Sequence, residues 1–270
     1  MANIAGVNID HVDVVMNFGD PTQKLSVMDD AVKANASIRL IPHDVRIHNA
    51  RNINASLEEN AFTLGRIDSS VTNFFDVDQV RSVYFAEVAE LIKEKTGAEY
   101  VKVFGEQVRG ATEGGQTNAR TPAMNTHVDY DIPTAHAIAQ LYAPEEHKAR
   151  YLSGRWMIIN VWRPLKTIDR NPLAVVDGST ISREDQHLCK LLATRSGVSP
   201  AFGFNISYSD EQRWYFYPAM TPEEVLMFKM VDSDAEAVQW AAHSSFNDPH
   251  TSPDAPARES IEVRTIAYIP

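Results

Sequence analysis

The stretch Arg155-Trp-Met-Ile-Ile-Asn-Val-Trp162 has the strongest strand pattern in the chain. Alternate side chains of an extended segment share a face, so we expect Asn160 and Trp162 on one side and Arg163 on the other. Pro164 ends the strand because proline has no backbone N–H to donate to a neighbouring strand. The prediction of the fold starts from this bulky, apolar strand.

Short strands separated by polar turns continue through the second half of the chain. Asn205–Ser209 and Trp214–Tyr217 are predicted to form a hairpin across Asp210-Glu-Gln. The other predicted strands are Leu173–Val176, Glu224–Val231, Trp240–Phe246 and Ser260–Ile269. Many short strands with polar turns are typical of an antiparallel sandwich or barrel.

The first half contributes the clearest helix. Asp76 caps it, Gly97 stops it, and apolar residues recur between them at helical spacing. A strand over Glu99–Phe104, a loop over residues 105–125 and a helix over Pro133–Ala143 follow. The loop is rich in Gly, Thr, Asn and Gln and precedes the candidate site, where an active-site lid is expected.

These elements predict a mainly β protein with flanking helices, arranged as a jelly roll. We expect a single domain over residues 1–270. Its helix-bearing part spans about 1–98, with extended segments over residues 37–67, and its β core spans about 99–270.

The composition excludes several classes of protein. The formal net charge of −11 argues against a general nucleic-acid or anionic-membrane binder, because both need a basic face. The single cysteine, Cys189, excludes an internal disulfide and fits a reducing compartment, so we expect a cytoplasmic protein. No signal-peptide pattern and no apolar run of membrane-spanning length is present. Homodimerisation stays open, since no exposed amphipathic stretch indicates it.

A His-x-Asp motif at His127 and Asp129 is the candidate metal site. Side chains two residues apart in an extended segment point the same way, so the imidazole and the carboxylate converge. One histidine from a distant strand would complete the 2-His-1-carboxylate set of non-haem Fe(II) oxygenases. A second His-x-Asp, at His11 and Asp13, has short, featureless surroundings that favour a surface or local structural role.

His243 is the candidate third ligand, because it is the one later histidine in a predicted strand. The other later histidines are His136 and His147 in a predicted helical segment, His187 in a polar run typical of an exposed helix, and His250 in a Pro-rich turn.

The only Arg-x-Ser in the chain, Arg258 and Ser260, opens the last predicted strand. The two side chains share a face and form a seat for a carboxylate, to which arginine gives a charge-assisted bidentate bond. Arg264 continues on that face, either as a further carboxylate partner or paired with Glu262 or the chain end. A lone arginine or histidine here is usually structural. The metal and carboxylate sites are therefore predicted from the order of the motifs together: His-x-Asp, a long gap, His243, a short gap and Arg-x-Ser.

At these residues the chain resembles the Fe(II)/2-oxoglutarate-dependent oxygenases. More specifically, it resembles the fungal hydroxylase/desaturase family that includes gibberellin desaturase-like and cephalosporin hydroxylase-related enzymes. The stretches that carry the resemblance are His127-Val-Asp129, Asn160-Val-Trp-Arg-Pro-Leu165, Pro172-Leu-Ala174 with Asp177, His243-Ser-Ser-Phe246, and Arg258-Glu-Ser-Ile-Glu-Val-Arg264. Further similarity at Asn49-Ala-Arg51, Phe62-Thr-Leu64 and Thr96-Gly-Ala98 extends it over nearly the whole chain.

The resemblance implies one oxygenase domain with a cupin-like double-stranded β-helix. It also implies that Fe(II), 2-oxoglutarate and O2 oxidise a small secondary metabolite or amino-acid-derived substrate, with release of succinate and CO2. His127, Asp129 and His243 would be the catalytic metal ligands, and Arg258 and Ser260 would bind the distal carboxylate of 2-oxoglutarate. Hydroxylation, desaturation and oxidative cyclisation all use such a site, and no motif separates them.

Substrate contacts are assigned less specifically. The candidates are Tyr130, Asn160, Trp162, Arg163, Tyr208 and Arg264. Arg163 would bind an anion, or else pair with Asp169 or Asp177 as a buried structural residue.

Two other classes of protein fit part of the pattern. A zinc-dependent hydrolase would use the same two histidines and aspartate. Arg258 and Ser260 argue against it, because hydrolysis needs no second carboxylate seat. A non-catalytic ligand-binding barrel would be favoured by the loss of a metal ligand, but all three candidates are present.

Overall fold

The computed structural model describes residues 9–29, 35–110, 122–192 and 196–270. Within these residues fourteen strands form two sheets. In chain order the strands are β1 (His11–Gly19), β2 (Leu25–Asp29), β3 (Leu40–Asn49), β4 (Phe62–Arg66), β5 (Tyr100–Arg109), β6 (His127–Val128), β7 (Arg155–Pro164), β8 (Leu173–Val176), β9 (Gln186–Leu192), β10 (Ala201–Ile206), β11 (Trp214–Phe216), β12 (Glu224–Asp232), β13 (His243–Ser245) and β14 (Ser260–Ile269).

The described helices are short and lie between the strands along the chain. They are α1 (Val77–Gln79), a π-helical turn (Val80–Tyr84), α2 (Phe85–Thr96), α3 (Ile132–Tyr142), α4 (Lys148–Ser153) and 3-10 turns at Ala50–Asn52, Glu145–His147, Gly178–Thr180 and Arg183–Asp185.

The smaller sheet has five antiparallel strands in the order β4-β12-β7-β14-β5. Its central strand is β7, which is buried at every position except its half-buried first residue. All ten residues of β7 pair with the ten of β14. This confirms the two strands predicted from Arg155 and Ser260 onward.

The larger sheet has nine strands in the order β1-β3-β11-β8-β13-β6-β10-β9-β2. It packs face to face with the smaller sheet as a jelly roll, and apolar side chains from both sheets form one core cluster between them. Trp156 and Phe228 of the smaller sheet and Trp214 and Phe18 of the larger one belong to this cluster. The predicted mainly β fold with flanking helices is confirmed. The segment before residue 99 contributes strands to both sheets, since β1 and β3 join the larger and β4 the smaller.

The helix predicted from Asp76 covers the outer face of the smaller sheet. Asp76 accepts hydrogen bonds from the backbone N–H groups of Asp78 and Gln79, and Gly97 ends the helix with a φ of 72°. Tyr84 packs in the second core cluster, which includes the outward-facing side chains of β7. The predicted helix is therefore present, but a π-helical turn interrupts it at Val80–Tyr84.

Three local predictions are wrong. The predicted hairpin does not form: β10 pairs with β6 and β9, while β11 pairs with β3 and β8. His187 lies in strand β9 and not in a helix, because pairing with β10 and β2 overrides its polar local sequence. The predicted loop over 105–125 begins later, since β5 continues to Arg109. Residues 111–121 of that predicted lid lie outside the described residues.

Candidate metal centre and adjoining cavity

The His-x-Asp motif sits at the middle of the larger sheet. His127 starts β6, which lies between β13 and β10, and Asp129 follows the strand directly. Gly203 on β10 allows this placement: a Cβ there would lie 2.5 Å from the carbonyl oxygen of Val128 and 2.7 Å from that of Asp129. The absence of a side chain at this glycine lets the ligand-bearing backbone pack closely against β10.

His243 is brought to the motif by direct strand pairing. It lies opposite His127 in the antiparallel pair of β13 and β6, and the two ring centroids are 4.3 Å apart. One nitrogen from each histidine and one oxygen of Asp129 all lie within 4.8 Å of one another. Among the described residues, this is the one group of three His, Cys, Asp or Glu side chains that could hold a metal ion.

Both histidines are held through the nitrogen that points away from the cluster. Nδ1 of His127 lies 2.8 Å from the carbonyl oxygen of Asn125, and Nδ1 of His243 lies 3.4 Å from that of Ala241. Because a carbonyl only accepts, Nδ1 carries the proton in each ring and leaves Nε2 as the free lone pair. Nε2 of His127 is 3.6 Å from Oδ1 of Asp129.

The other oxygen of Asp129 is held by the smaller sheet. Oδ2 accepts a 2.8 Å bond from Nδ2 of Asn160 and a 3.2 Å bond from Nε of Arg264. Arg264 also bonds the carbonyl oxygen of Gly105 at 2.9 Å and forms a 2.9 Å ion pair with Glu262. The guanidinium of Arg264 therefore already has protein acceptors. Of the alternatives left open for this residue, the pairing with Glu262 is observed.

The protonation states suit metal binding. Burial alone would raise the pKa of Asp129, but nearby Arg264 and the hydrogen bond from Asn160 hold the pKa of that carboxyl below its usual range. Burial, together with the neighbouring His127, lowers the pKa of His243 to about 3. The site thus presents an ionised carboxylate and a neutral His243 at neutral pH, the forms that ligate metals.

A cavity adjoins the three candidate ligands. Its lining residues include Arg258, the Trp162 and Ser245 side chains that Arg258 contacts, and the apolar Met28 and Leu191. Tyr130, a substrate candidate from the sequence, also lines it.

Arg258 is buried at the cavity wall with part of its guanidinium unused. Its Nη1 donates to the carbonyl oxygen of Asn171 at 2.6 Å and to Oγ of Ser245 at 2.7 Å, and the group stacks over Trp162 at 5.4 Å. Its Nε and the buried Oγ of Ser260 have no hydrogen-bond partner within the described residues. Burial lowers the pKa of Arg258 to about 9, so the group stays cationic at neutral pH. Buried donors without partners cost free energy unless a ligand supplies an acceptor, and an anion satisfies both the charge and these donors.

Strand β14 contributes residues both to the surroundings of Asp129 and to the site around Arg258. On β14, Ser260 lies opposite Arg109 and Glu262 lies opposite Gln107, two residues of β5 that also line the cavity. Arg264 lies opposite Asn160 of β7. Alternate residues of β14 therefore connect the carboxylate of the metal cluster to the anion seat.

Gln107 is a functional candidate that sequence reasoning missed. It is 4% exposed, lines the cavity, and its Nε2 has no hydrogen-bond partner within the described residues. The composition of residues 105–125 predicts a loop there, and the alternation after Glu99 gives no signal for Gln107, because the pairing of β5 with β14 shifts register between Phe104 and Gln107.

Two substrate candidates lie elsewhere. Arg163 points to the opposite face of β7, where it packs 4.9 Å over Phe74 and donates to the carbonyl oxygen of Ile67 at 3.3 Å. Among the described contacts it pairs with neither predicted aspartate. Tyr208 follows the end of β10, stacks on His43 at 4.3 Å and donates to Asp210, and it does not line the cavity. Asn160 and Trp162 do reach the site, at Asp129 and under Arg258.

The rival His-x-Asp has the surface role expected of it. Asp13 lies on the exposed side of β1 and forms a two-bond ion pair with Arg46 at 2.9 and 3.1 Å. His11 is also exposed, and its Nε2 is 3.9 Å from Asp13.

Comparison with known proteins gives consistent results. A family model described as "Oxidoreductase/YMDC permease-like domain" matches residues 16–268. In the described part of the chain, no helix has the length and apolar character needed to cross a membrane.

Two similar sequences are named as dioxygenases. The alpha-ketoglutarate-dependent dioxygenase phiK of a fungal species (strain ATCC 74256) is 30% identical over 230 residues, 82% of each chain. The Fe(II)/2-oxoglutarate-dependent dioxygenase nvfI of Aspergillus novofumigatus is 31% identical over 245 residues, 87% of each chain. A solved structure of an iron and alpha-ketoglutarate-dependent endoperoxidase, NvfI, superposes with a TM-score of 0.85 at 29% identity, covering 97% of this chain and 99% of that chain.

Proposed function

Since this chain belongs to the fungal Fe(II)/2-oxoglutarate-dependent dioxygenases, we propose that it couples conversion of 2-oxoglutarate to succinate and CO2 with the oxidation of a small molecule of secondary metabolism. His127, Asp129 and His243 would hold Fe(II) on one face and leave three positions open. The bound iron and 2-oxoglutarate supply the oxidising chemistry, while the protein positions the reactants and excludes water.

The observation that carries the proposal is Arg258. A buried, cationic guanidinium with an unused Nε lines the same cavity as the three metal-ligand candidates. Arg258, with the buried hydroxyl of Ser260, would bind the distal carboxylate of 2-oxoglutarate. A zinc hydrolase with the same ligand set needs no second carboxylate site, and a non-catalytic barrel needs no complete set of three metal ligands.

The substrate would bind in the remainder of this cavity. Its lining includes apolar Met28, Leu191 and Leu192 and polar Gln107 and Tyr130. This lining fits a largely apolar molecule that carries at least one oxygen able to accept from the Gln107 amide. Hydroxylation, desaturation and oxidative cyclisation are all compatible with such a pocket.

The broader setting is also a proposal. We propose a single oxygenase domain over residues 1–270 that acts in the cytoplasm, where a buried free thiol such as Cys189 stays reduced. Self-association as a homodimer would be compatible with catalysis, since all three candidate ligands come from one chain.

A substrate screen that measures succinate tests the proposal. Purified protein receives Fe(II), 2-oxoglutarate and O2 with each candidate metabolite, and succinate is quantified. We expect succinate only when Fe(II) and O2 are both present, with stimulation by the true substrate, and none from His127→Ala. Activity that persists in a zinc-loaded, iron-free protein, or full activity in His127→Ala, would overturn the assignment.

A further inference from the structure

The two oxygens of Asp129 have different surroundings. Oδ1 faces the histidines, 3.6 Å from Nε2 of His127. Oδ2 faces the smaller sheet and accepts from Asn160 at 2.8 Å and from Arg264 at 3.2 Å. Oδ2 accepts two hydrogen bonds, one of them charge-assisted, and rotating it toward a cation would break both.

We propose that Asn160 and Arg264 are positioning residues that hold Asp129 with Oδ1 directed at the metal. This inference rests on the proposed function, because it requires a metal at the cluster of His127, Asp129 and His243. Neither Asn160 nor Arg264 would touch the metal; each acts through the orientation of Asp129.

The orientation of Asp129 matters because a carboxylate ligates a metal well only when its free oxygen faces the ion. With Oδ2 held by Asn160 and Arg264, Oδ1 is the oxygen left for a metal between His127 and His243.

The two positioning donors lie on paired strands of the smaller sheet. Asn160 on β7 and Arg264 on β14 lie directly opposite each other in paired strands. Arg264 is fixed by the carbonyl oxygen of Gly105 and by Glu262, each at 2.9 Å. Because both donors come from the interior of a sheet, their geometry is set before any ligand binds.

Charge and position make different predictions for Arg264. A cation near the site repels a metal ion, so removing only its charge would tighten metal binding. Losing the positioning would weaken binding, because the ligand oxygen is no longer directed at the ion. Exchanging Arg264 and Glu262 together for neutral side chains keeps the net charge of the pair and isolates the positional effect.

The test measures Mn(II) binding to metal-free protein. Binding is monitored as the decrease of the electron paramagnetic resonance signal of free Mn(II). The variants are Asn160→Ala and the charge-neutral double variant Arg264→Met with Glu262→Gln. We expect each to weaken Mn(II) binding by about 10- to 100-fold. Glu262→Gln alone leaves Arg264 on Asp129 and should stay closer to the wild-type affinity. Near-UV circular dichroism establishes that each variant is folded, and Asn160→Ala carries the test if the double variant is not.

The outcomes separate this inference from the proposed function. Wild-type protein that takes up no Mn(II), or His127→Ala that binds it as tightly as wild type, would overturn both. Wild-type binding that requires His127, together with unchanged or tighter binding in folded Asn160→Ala or in the double variant, would overturn only the positioning role.

Discussion

His127 and His243 lie directly opposite each other on neighbouring antiparallel strands, with their ring centroids 4.3 Å apart, although they are far apart in the sequence. Each ring is fixed by a backbone carbonyl at Nδ1, so both Nε2 atoms are free for a common ligand. Asp129 adds an oxygen to the same cluster. The metal-binding face is therefore formed by paired strands of the sheet.

Replacing Arg258 with Met should weaken 2-oxoglutarate binding. Removing one partner of a buried charged pair costs about 2–5 kcal/mol, which corresponds to a loss of affinity of about 30-fold or more. The measurement is an anaerobic titration of the Fe(II) protein with 2-oxoglutarate. A 2-oxo acid that lacks the second carboxylate should bind wild type and variant alike, because it never reaches Arg258.

The matched control for that variant is Arg150→Met, which removes an exposed arginine paired with Glu99. It should leave 2-oxoglutarate affinity unchanged. Equal affinities for Arg258→Met and wild type would rule out this seat for the distal carboxylate.

The stability of the metal-free protein should fall as the pH drops below about 6.5. His243 has a folded pKa of about 3 against an ordinary value of 6.5, so between these values the unfolded chain binds a proton that the folded protein does not. The free energy of unfolding therefore decreases by about 1.4 kcal/mol per pH unit from this group. Between about pH 6.5 and about pH 4.5, the free energy of unfolding measured in urea should decrease by roughly 2 kcal/mol more in wild type than in His243→Gln. Equal pH dependences in the two proteins would contradict a neutral, buried His243.

Gly203→Ala should damage the metal site through the backbone. The new Cβ would meet the carbonyl oxygens of Val128 and Asp129 at 2.5 and 2.7 Å, so the segment bearing His127 and Asp129 must shift. Such overpacking costs about 1–3 kcal/mol, and we expect weaker Mn(II) binding as well as lower stability in urea.

Gly65→Ala is the control for this effect. Its Cβ would meet the flexible end of Met227 at 2.7 Å, on a strand of the smaller sheet that carries no metal ligand. Stability should fall less than in Gly203→Ala, and Mn(II) affinity should be retained. A Gly203→Ala protein with wild-type Mn(II) affinity would show that the close approach of β10 is not needed for the site.

Much of this arrangement follows from local sequence. The alternation after Arg155 and after Ser260 predicts two strands that the structure confirms almost residue for residue. The caps at Asp76 and Gly97 bound the observed helical segment. The order of the motifs led to His127, Asp129, His243 and Arg258, which line one cavity, while Ser260 is buried and is not among its lining residues.

What could not be predicted depends on which strands pair. The contact between Asn160 and Arg264 through Asp129 requires the register of β7 against β14 and the packing of two sheets, which no local pattern contains. The predicted hairpin failed for the same reason, since alternation indicates a strand but not its partner. Gln107 was missed because the Gly-, Thr-, Asn- and Gln-rich composition of residues 105–125 predicts a loop, although pairing with β14 continues the strand to Arg109.

The central claim is that Fe(II) bound by His127, Asp129 and His243 chelates one 2-oxoglutarate. An anaerobic titration of the Fe(II)-loaded protein with 2-oxoglutarate, followed by visible absorption, tests it most directly. We expect a metal-to-ligand charge-transfer band that saturates at one 2-oxoglutarate per chain in wild type and does not form in Asp129→Ala. A wild-type protein that holds Fe(II) but develops no band, or an Asp129→Ala protein that develops the same band, would contradict the account.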